Sequence, residues 1–186
     1  LRRQPPVRNP ADRAALWTGV ADGSIETLGT DNVTANAEEN NFTGTFWENR
    51  GEIPCLPWHT PQILHLGIHE HGLSLPLLAD RMSRRPAEIF GLYPRKGSFE
   101  IGADADLVVI DPDLEKVVRG AEGGSRADFT PLEGRTLKGW PVTVVKGGEP
   151  VVEEGELVTD PGIGHCLNKI PRRHNARGAF LKNRPP

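Results

Sequence analysis

The stretch that most restricts the fold runs from Pro86 to Pro112, PAEIFGLYPRKGSFEIGADADLVVIDP. Pro86 suits the first turn of a helix, where a missing N–H costs nothing, and residues 91–94 close that helix. A turn over 95–97 follows, then a predicted hydrophobic hairpin: residues 98–101 as a short strand and 102–104 as the reversal. Residues 107–110 are a continuous apolar run that Pro112 is expected to end. Such a run is ordinarily buried on both faces. Helical sequence therefore hands over to a β region here.

The segments before it are helical with one interruption. Asn9–Pro10 opens a helix over 11–21, with Ala14, Leu16, Trp17 and Val20 as its apolar stripe, and Asp22–Gly23 stops it. Residues 25–28 predict a short strand, and Gly29–Thr30–Asp31 stands at its C-terminal end. Helix, tight turn, strand and carboxylate make one βα-barrel unit read from its middle. Reactive groups in such barrels stand at the C-terminal ends of strands. On spacing alone Asp31 reads as an Asx-turn or N-cap residue.

Residues 33–46 are polar and Asn-rich and read as a surface loop; Phe46 to Pro54 continues it. A helix over 61–70 carries His65 and His69, with His71 just beyond. Their i, i+4 spacing is one that zinc ligands use, but Leu66 stands where a zincin would have Glu. No third ligand follows at an obvious spacing, so an exposed polar face is expected. Ser74 caps a second helix reaching about residue 84, with Leu77, Leu78 and Met82 inward. Arg81, Arg84 and Arg85 read as a solvated face. After the junction come short strands over 116–119, 136–146, 150–153 and 157–158, with turns at Gly147–Gly148 and Gly155 and Pro141 at a bulge or edge. Gly120 to Gly124 reads as a flexible loop, and Glu153, Glu154 and Glu156 as a solvated hairpin.

Composition excludes several classes. In 186 residues the net charge is −3, so no general case for nucleic acid exists. No apolar run approaches the ~20 residues of a membrane helix, and no apolar segment follows the basic first residues, so no secretory signal is expected. The two cysteines, Cys55 and Cys166, are expected as reduced thiols in a cytoplasmic protein. The 21 Gly and 17 Pro imply short elements and many turns. A chain that begins at Leu1 suggests that an N-terminal part is missing.

The 86–112 stretch resembles, nearly letter for letter, a junction in metal-dependent cyclic amidohydrolases, the hydantoinases, dihydropyrimidinases, allantoinases and dihydroorotases. There a helix with PA-IFGLYPRKG leaves a (β/α)8 barrel and G-DADLV--D enters a small β-sandwich. LWTGVADGSIETLGTDN resembles the last helix–strand unit of that barrel, and SRADFTPLEGRTLKGWPVTVVKGGEPVVEEGELV the closing sandwich strands. The resemblance implies an α/β fold: the C-terminal portion of a TIM-like barrel over 1–95, part of a β-sandwich over 96–164, and a basic tail over 165–186. That tail is expected to dock on another subunit or to be disordered rather than to bind nucleic acid.

The resemblance also implies the chemistry, hydrolysis of a small cyclic amide or ureide. Asp31 falls where the family has its metal-ligating, proton-carrying Asp, but Asn32 stands where the family usually has His. Substrate contact is expected at Asn49, Arg50 and Gly51. Two divalent metals, commonly zinc, serve the family reaction, held by an H-x-H pair, a carboxylated Lys and two further His. None of those ligands is in this sequence, so the chain alone is not expected to hold the metals. A homo-oligomer, a tetramer by resemblance, is expected, with no nucleic-acid or membrane partner. The alternative is a non-catalytic amidohydrolase-like scaffold or assembly subunit; a stand-alone β-domain binding module has no motif behind it.

Overall fold

The computed structural model describes residue 3 and residues 5–167. Helix α1 (Pro10–Asp22) starts where Asn9 accepts the Asp12 N–H (2.9 Å) and stops at Gly23, whose left-handed backbone caps it. Trp17 and Val20 of the expected stripe are buried, whereas Leu16 is 56% exposed. After a short α2 (Ala37–Asn40) and one 3-10 turn (Leu56–Trp58), α3 (His59–Leu64) runs without a break into a π-helical turn (His65–Glu70). Helix α4 (Leu75–Ala79) is capped by Ser74 as expected, through the Leu77 N–H (3.4 Å).

It does not end at residue 84. A π turn (Asp80–Arg84) leads straight into α5 (Arg85–Phe90), so Pro86 lies inside one continuous helical path. The cause is the ring: proline supplies no N–H and crowds the carbonyl four residues back. The Arg85 N–H accordingly reaches back five residues to the Asp80 carbonyl, the register slip that defines a π turn.

Of the three arginines expected as a solvated face, Arg84 keeps it, 57% exposed beside Glu88, and the other two do not. Arg81 has a side chain only 12% exposed, pairs with Asp80 and donates to the Val20 carbonyl of α1 (3.4 Å). Arg85 bridges Glu26 and Glu88, so the cluster staples α5 to the segment after α1.

Four strands form one antiparallel sheet in the order β1 (Leu107–Val117), β2 (Thr136–Lys146), β3 (Glu149–Glu153) and β4 (Glu156–Leu157). The β2 bounds, the 147–148 turn and the β3 return match the sequence expectation, and the register shifts where Pro141 sits opposite Ile110. Three expectations fail. Residues 25–28 and 98–101 form no strand, because among the described residues neither has a ladder partner. Pro112 does not end β1; a bulge between Asp111 and Glu115 absorbs it, and the separately expected strand at 116–119 merges into β1 as far as Val117. Nor is the 107–110 run buried on both faces: Val108 and Val109 are about half exposed, at 53% and 52%.

Two cores result. Trp17, Val20, Leu64 and Leu78 join α1, α3 and α4, with Ile25, Leu28 and Ile110 packed around them. Trp58, Val118, Leu132 and Leu137 make a second beneath β2, with Trp140 against it. Glycine sets both close approaches. A Cβ on Gly67 would stand 2.7 Å from Leu78 Cδ1, and one on Gly139 would stand 3.3 Å from Leu64 Cβ in a backbone at φ +91°. His65 completes the helix–sheet seam by accepting the Lys138 N–H at Nδ1 (3.1 Å).

The most recognisable stretch of the sequence proves to be a charge lock. Lys96 lies on Asp104 (2.8 Å) and on Asp106, Arg95 donates to Asp104 (3.0 Å), and Asp106 also accepts the Gly147 N–H (2.8 Å) from the β2–β3 turn. Lys96 and Arg95 hold the Asp104 carboxyl below the usual aspartate range. Burial pushes Asp106 up, but Lys96 and the Gly147 N–H outweigh it, and the net direction is also down. Groups with a depressed folded-state pKa contribute stability that is complete above the ordinary aspartate value of about 4 and is lost as pH falls through the folded value. The melting temperature should therefore fall as the pH drops below about 4. Lys96→Met should flatten that limb; an unchanged limb in this variant would show that the lock contributes nothing.

Candidate active site

Asp31 is presented by the end of a segment anchored from behind. The Ile25 N–H bonds to the Gly19 carbonyl (2.9 Å) as the chain leaves α1, and Ile25 and Leu28 pack into the first core. Three residues on, Asp31 turns out of the core in a left-handed backbone, φ +46°, with its carboxylate 72% exposed. Arg3 meets it. The guanidinium, on a side chain only 12% exposed, donates from Nη2 to Asp31 Oδ2 and to the Asp31 carbonyl, and from Nη1 to the Gly51 carbonyl (3.4 Å). Through this one side chain the structure brings Asp31 and Gly51 together.

Asn32 is a latch. Its Oδ1 accepts the N–H groups of Cys55 (2.8 Å) and Leu56 (3.0 Å), and its Nδ2 donates to Thr34 Oγ1 (3.2 Å). The amide thus opens the 3-10 turn at Leu56 and ties it to the Asp31 segment, a job an imidazole cannot copy because it lacks an oxygen that takes two N–H groups.

Of the residues expected to meet substrate, Gly51 is buried at φ +72° and Asn49 accepts its N–H (2.8 Å). Arg50 turns outward, 58% exposed and 4.0 Å from Glu52. What holds this loop was missed in the sequence. Asn40 is fully buried: Nδ2 donates to the Glu52 carbonyl (2.7 Å), while Oδ1 accepts from Gly51 (3.0 Å) and Glu52 (3.3 Å). Residues 33–46 are therefore not simply a surface loop. A capping box between Asn36 and Glu39 forms α2, which carries Asn40 inward, and the signal N-x-x-E is legible in the sequence. Arg126 clamps Glu39 (2.6 Å), whose carboxyl is held down by the Asn36 N–H and by that arginine.

The electrostatics narrow the chemistry. Burial pushes the Cys55 thiol up, and Asp31 adds to this while Arg3 opposes it; a thiol moved this way is a poor nucleophile. Burial pushes His59 down, against its bond to the Leu28 backbone. The exposed carboxylate of Asp31 stands joined to the Gly51 carbonyl through Arg3.

The residues do not fit a metal centre: among those described, no three His, Cys, Asp or Glu stand close enough to hold an ion. His65 and His69 lie 5.8 Å apart as rings, His65 is engaged by the sheet, and His71 stacks on Trp17 at 4.8 Å. His69 and His71 keep the exposed face expected of them, while His65 is drawn half-buried into the seam with β2. A hollow of about 840 Å³ between the 75–90 helices and β1 is lined by Leu75, Met82, Phe90, Phe99 and Val108 and includes none of the Asp31 group. Cys55 and Cys166 are free thiols, and no described helix is long and apolar enough to cross a membrane. From residue 168 onward, the basic tail expected over 165–186 lies outside the described residues.

The model of the amidohydrolase family matches residues 7–151. The chain is 33% identical to the D-hydantoinase of Geobacillus stearothermophilus over 172 residues, covering 89% of this chain and 36% of that protein. It is 32% identical to the L-hydantoinase of Paenarthrobacter aurescens, covering 91% and 37%. It overlays a D-hydantoinase crystal structure with a TM-score of 0.85 at 30% identity, covering 90% of this chain and 37% of that one. The dihydropyrimidinase of Brevibacillus agri gives 0.79 at 26%, covering 84% and 34%. The chain thus spans a little over a third of the length of the relatives it matches.

Proposed function

The chain belongs to the amidohydrolase family, and from that premise we propose that it is the C-terminal part of an enzyme that hydrolyses the C–N bond of a cyclic amide or ureide. Residues 1–95 would complete a (β/α)8 barrel, 96–164 would contribute to a small β-sandwich, and 165–186 would form a basic tail. The observation that carries the reading is the pairing of the Asp31 carboxylate with the Gly51 loop through Arg3, in a chain that overlays a hydantoinase at a TM-score of 0.85.

In this reading Asp31 takes a proton from the water that attacks the ring carbonyl. A C–O bond forms, the ring C–N bond breaks, and Asp31 returns the proton to the departing nitrogen, acting as base and then acid. Asn49 and the Gly51 backbone orient the ring, with Arg50 at the outer edge. One carboxylate is not a metal site, so the two divalent ions of such an enzyme, zinc by resemblance, require ligands other than those described. A cytoplasmic homotetramer is the assembly the resemblance favours.

Asn32 favours a second reading, a non-catalytic assembly subunit, because its amide is engaged by the backbone rather than by the mouth. Hydrolysis decides between them. A longer protein carrying this chain should open dihydrouracil or hydantoin, and the purified 186-residue chain should bind less than stoichiometric zinc and open neither. Stoichiometric zinc with turnover by the chain alone would overturn the proposed division of the site. A longer protein that binds metal and opens no cyclic amide would support the assembly reading.

A further inference from the structure

Arg3 has a side chain only 12% exposed, and both of its partner segments belong to the proposed active site. We infer that Arg3 is its positioning residue: one guanidinium sets the Asp31 carboxylate and the Gly51 carbonyl at a fixed spacing. The inference rests on the proposed function for the meaning of that spacing, and on geometry for everything else.

A guanidinium with its side chain 12% exposed must be compensated, since burying a charge without partners is costly. Arg3 finds three acceptors, two on Asp31 and one on Gly51, in segments 28 and 48 residues away along the chain. Its donors form a rigid planar fork, so binding both segments fixes the distance and angle between them.

Asp31 gains most from this. Its backbone at φ +46° lies in a region sparsely populated by residues other than glycine. Arg3 holds both the carbonyl and the carboxylate of that conformer. The side-chain contact falls on Oδ2, so Oδ1 takes no part in the Arg3 pairing. Arg3 therefore acts through Asp31 and touches neither the ring nor the attacking water. Lysine, a point charge on a flexible stem, could compensate Asp31 but could not span to Gly51 as well.

The test uses Arg3→Gln and Arg3→Lys in two settings. In the 186-residue chain, NMR follows the Asp31 side-chain carboxyl carbon, the Gly51 amide and, as a fold control, the amides of β2. Arg3→Gln should move both site resonances and leave β2 in place. Arg3→Lys should hold the carboxyl resonance near its native position while the Gly51 amide moves, and this arm stands if the glutamine variant fails to fold. In the longer protein, Arg3→Gln should lower kcat by about tenfold or more with KM within about twofold, the pattern of a misaligned proton carrier. An Asp31 carboxyl resonance that does not move in Arg3→Gln overturns the inference, as does a change confined to KM. If the longer protein with native Arg3 opens no ring, the proposed function fails and the two resonances still decide the role of Arg3.

Discussion

Asn40→Ala is expected to destabilise the chain by about 3 kcal/mol and to release the 49–52 loop from the Asp31 segment. Asn40 is fully buried and spends its whole amide on two residues, Gly51 and Glu52. Truncation strands the Glu52 N–H and carbonyl, while the Gly51 N–H keeps Asn49. A buried polar group left without a partner costs roughly 1–3 kcal/mol, and two of them, together with the void, give the stated sum. For a chain of this size that corresponds to a drop of about 9 °C in melting temperature. Thermal unfolding measures it. Faster amide exchange confined to residues 50–55 in Asn40→Ala at low temperature would show that the loop lets go before the cores do. A drop under about 2 °C would mean that water or neighbouring backbone replaces the lost bonds, and the loop would not be held as described.

Asn40 also shows where reading the sequence stops. A run of asparagines reads as solvent-facing, because asparagine is usually outside. Here a capping box turns one of them inward, and its burial depends on a loop that lies a further 11 and 12 residues along the chain. Arg3 is a stronger case: nothing in LRRQPP predicts partners at residues 31 and 51.

Elements that depend on their own letters came through well. Strand β2 with its glycine turn, the Asn9 and Ser74 caps and the Gly91 stop all stand where local chemistry places them. Elements that depend on what lies beside them did not. Residues 25–28 and 98–101 have strand-like side chains, but a strand is a pairing and neither is paired among the described residues. The 107–110 run is apolar enough for burial on both faces, and still Val108 and Val109 are half exposed, since burial is a property of the neighbours. The π turn before Pro86 arises from the proline ring, and the close approach at Gly67 depends on Leu78, neither of which shows in a helical periodicity. The junction motif was legible as a signature long before its physics was: its charges hold a turn to a hairpin.

The largest effect expected is on catalysis. Asp31 is the one proposed proton carrier, and a positioned general acid–base group contributes about 10²–10⁴-fold to such reactions. Asp31→Asn keeps the shape and a bond to Arg3 but cannot take up a proton near neutral pH. Its carboxylate is 72% exposed, and exposed ion pairs contribute on the order of 1 kcal/mol or less, so the fold should lose little.

The measurement is kcat/KM for ring opening of dihydrouracil or hydantoin by the longer protein, native against Asp31→Asn, with melting temperatures taken alongside. The expected result is a loss of about a thousandfold with the melting temperature lowered by no more than about 3 °C. An Asp31→Asn protein that is folded and keeps more than a tenth of the native rate would contradict it.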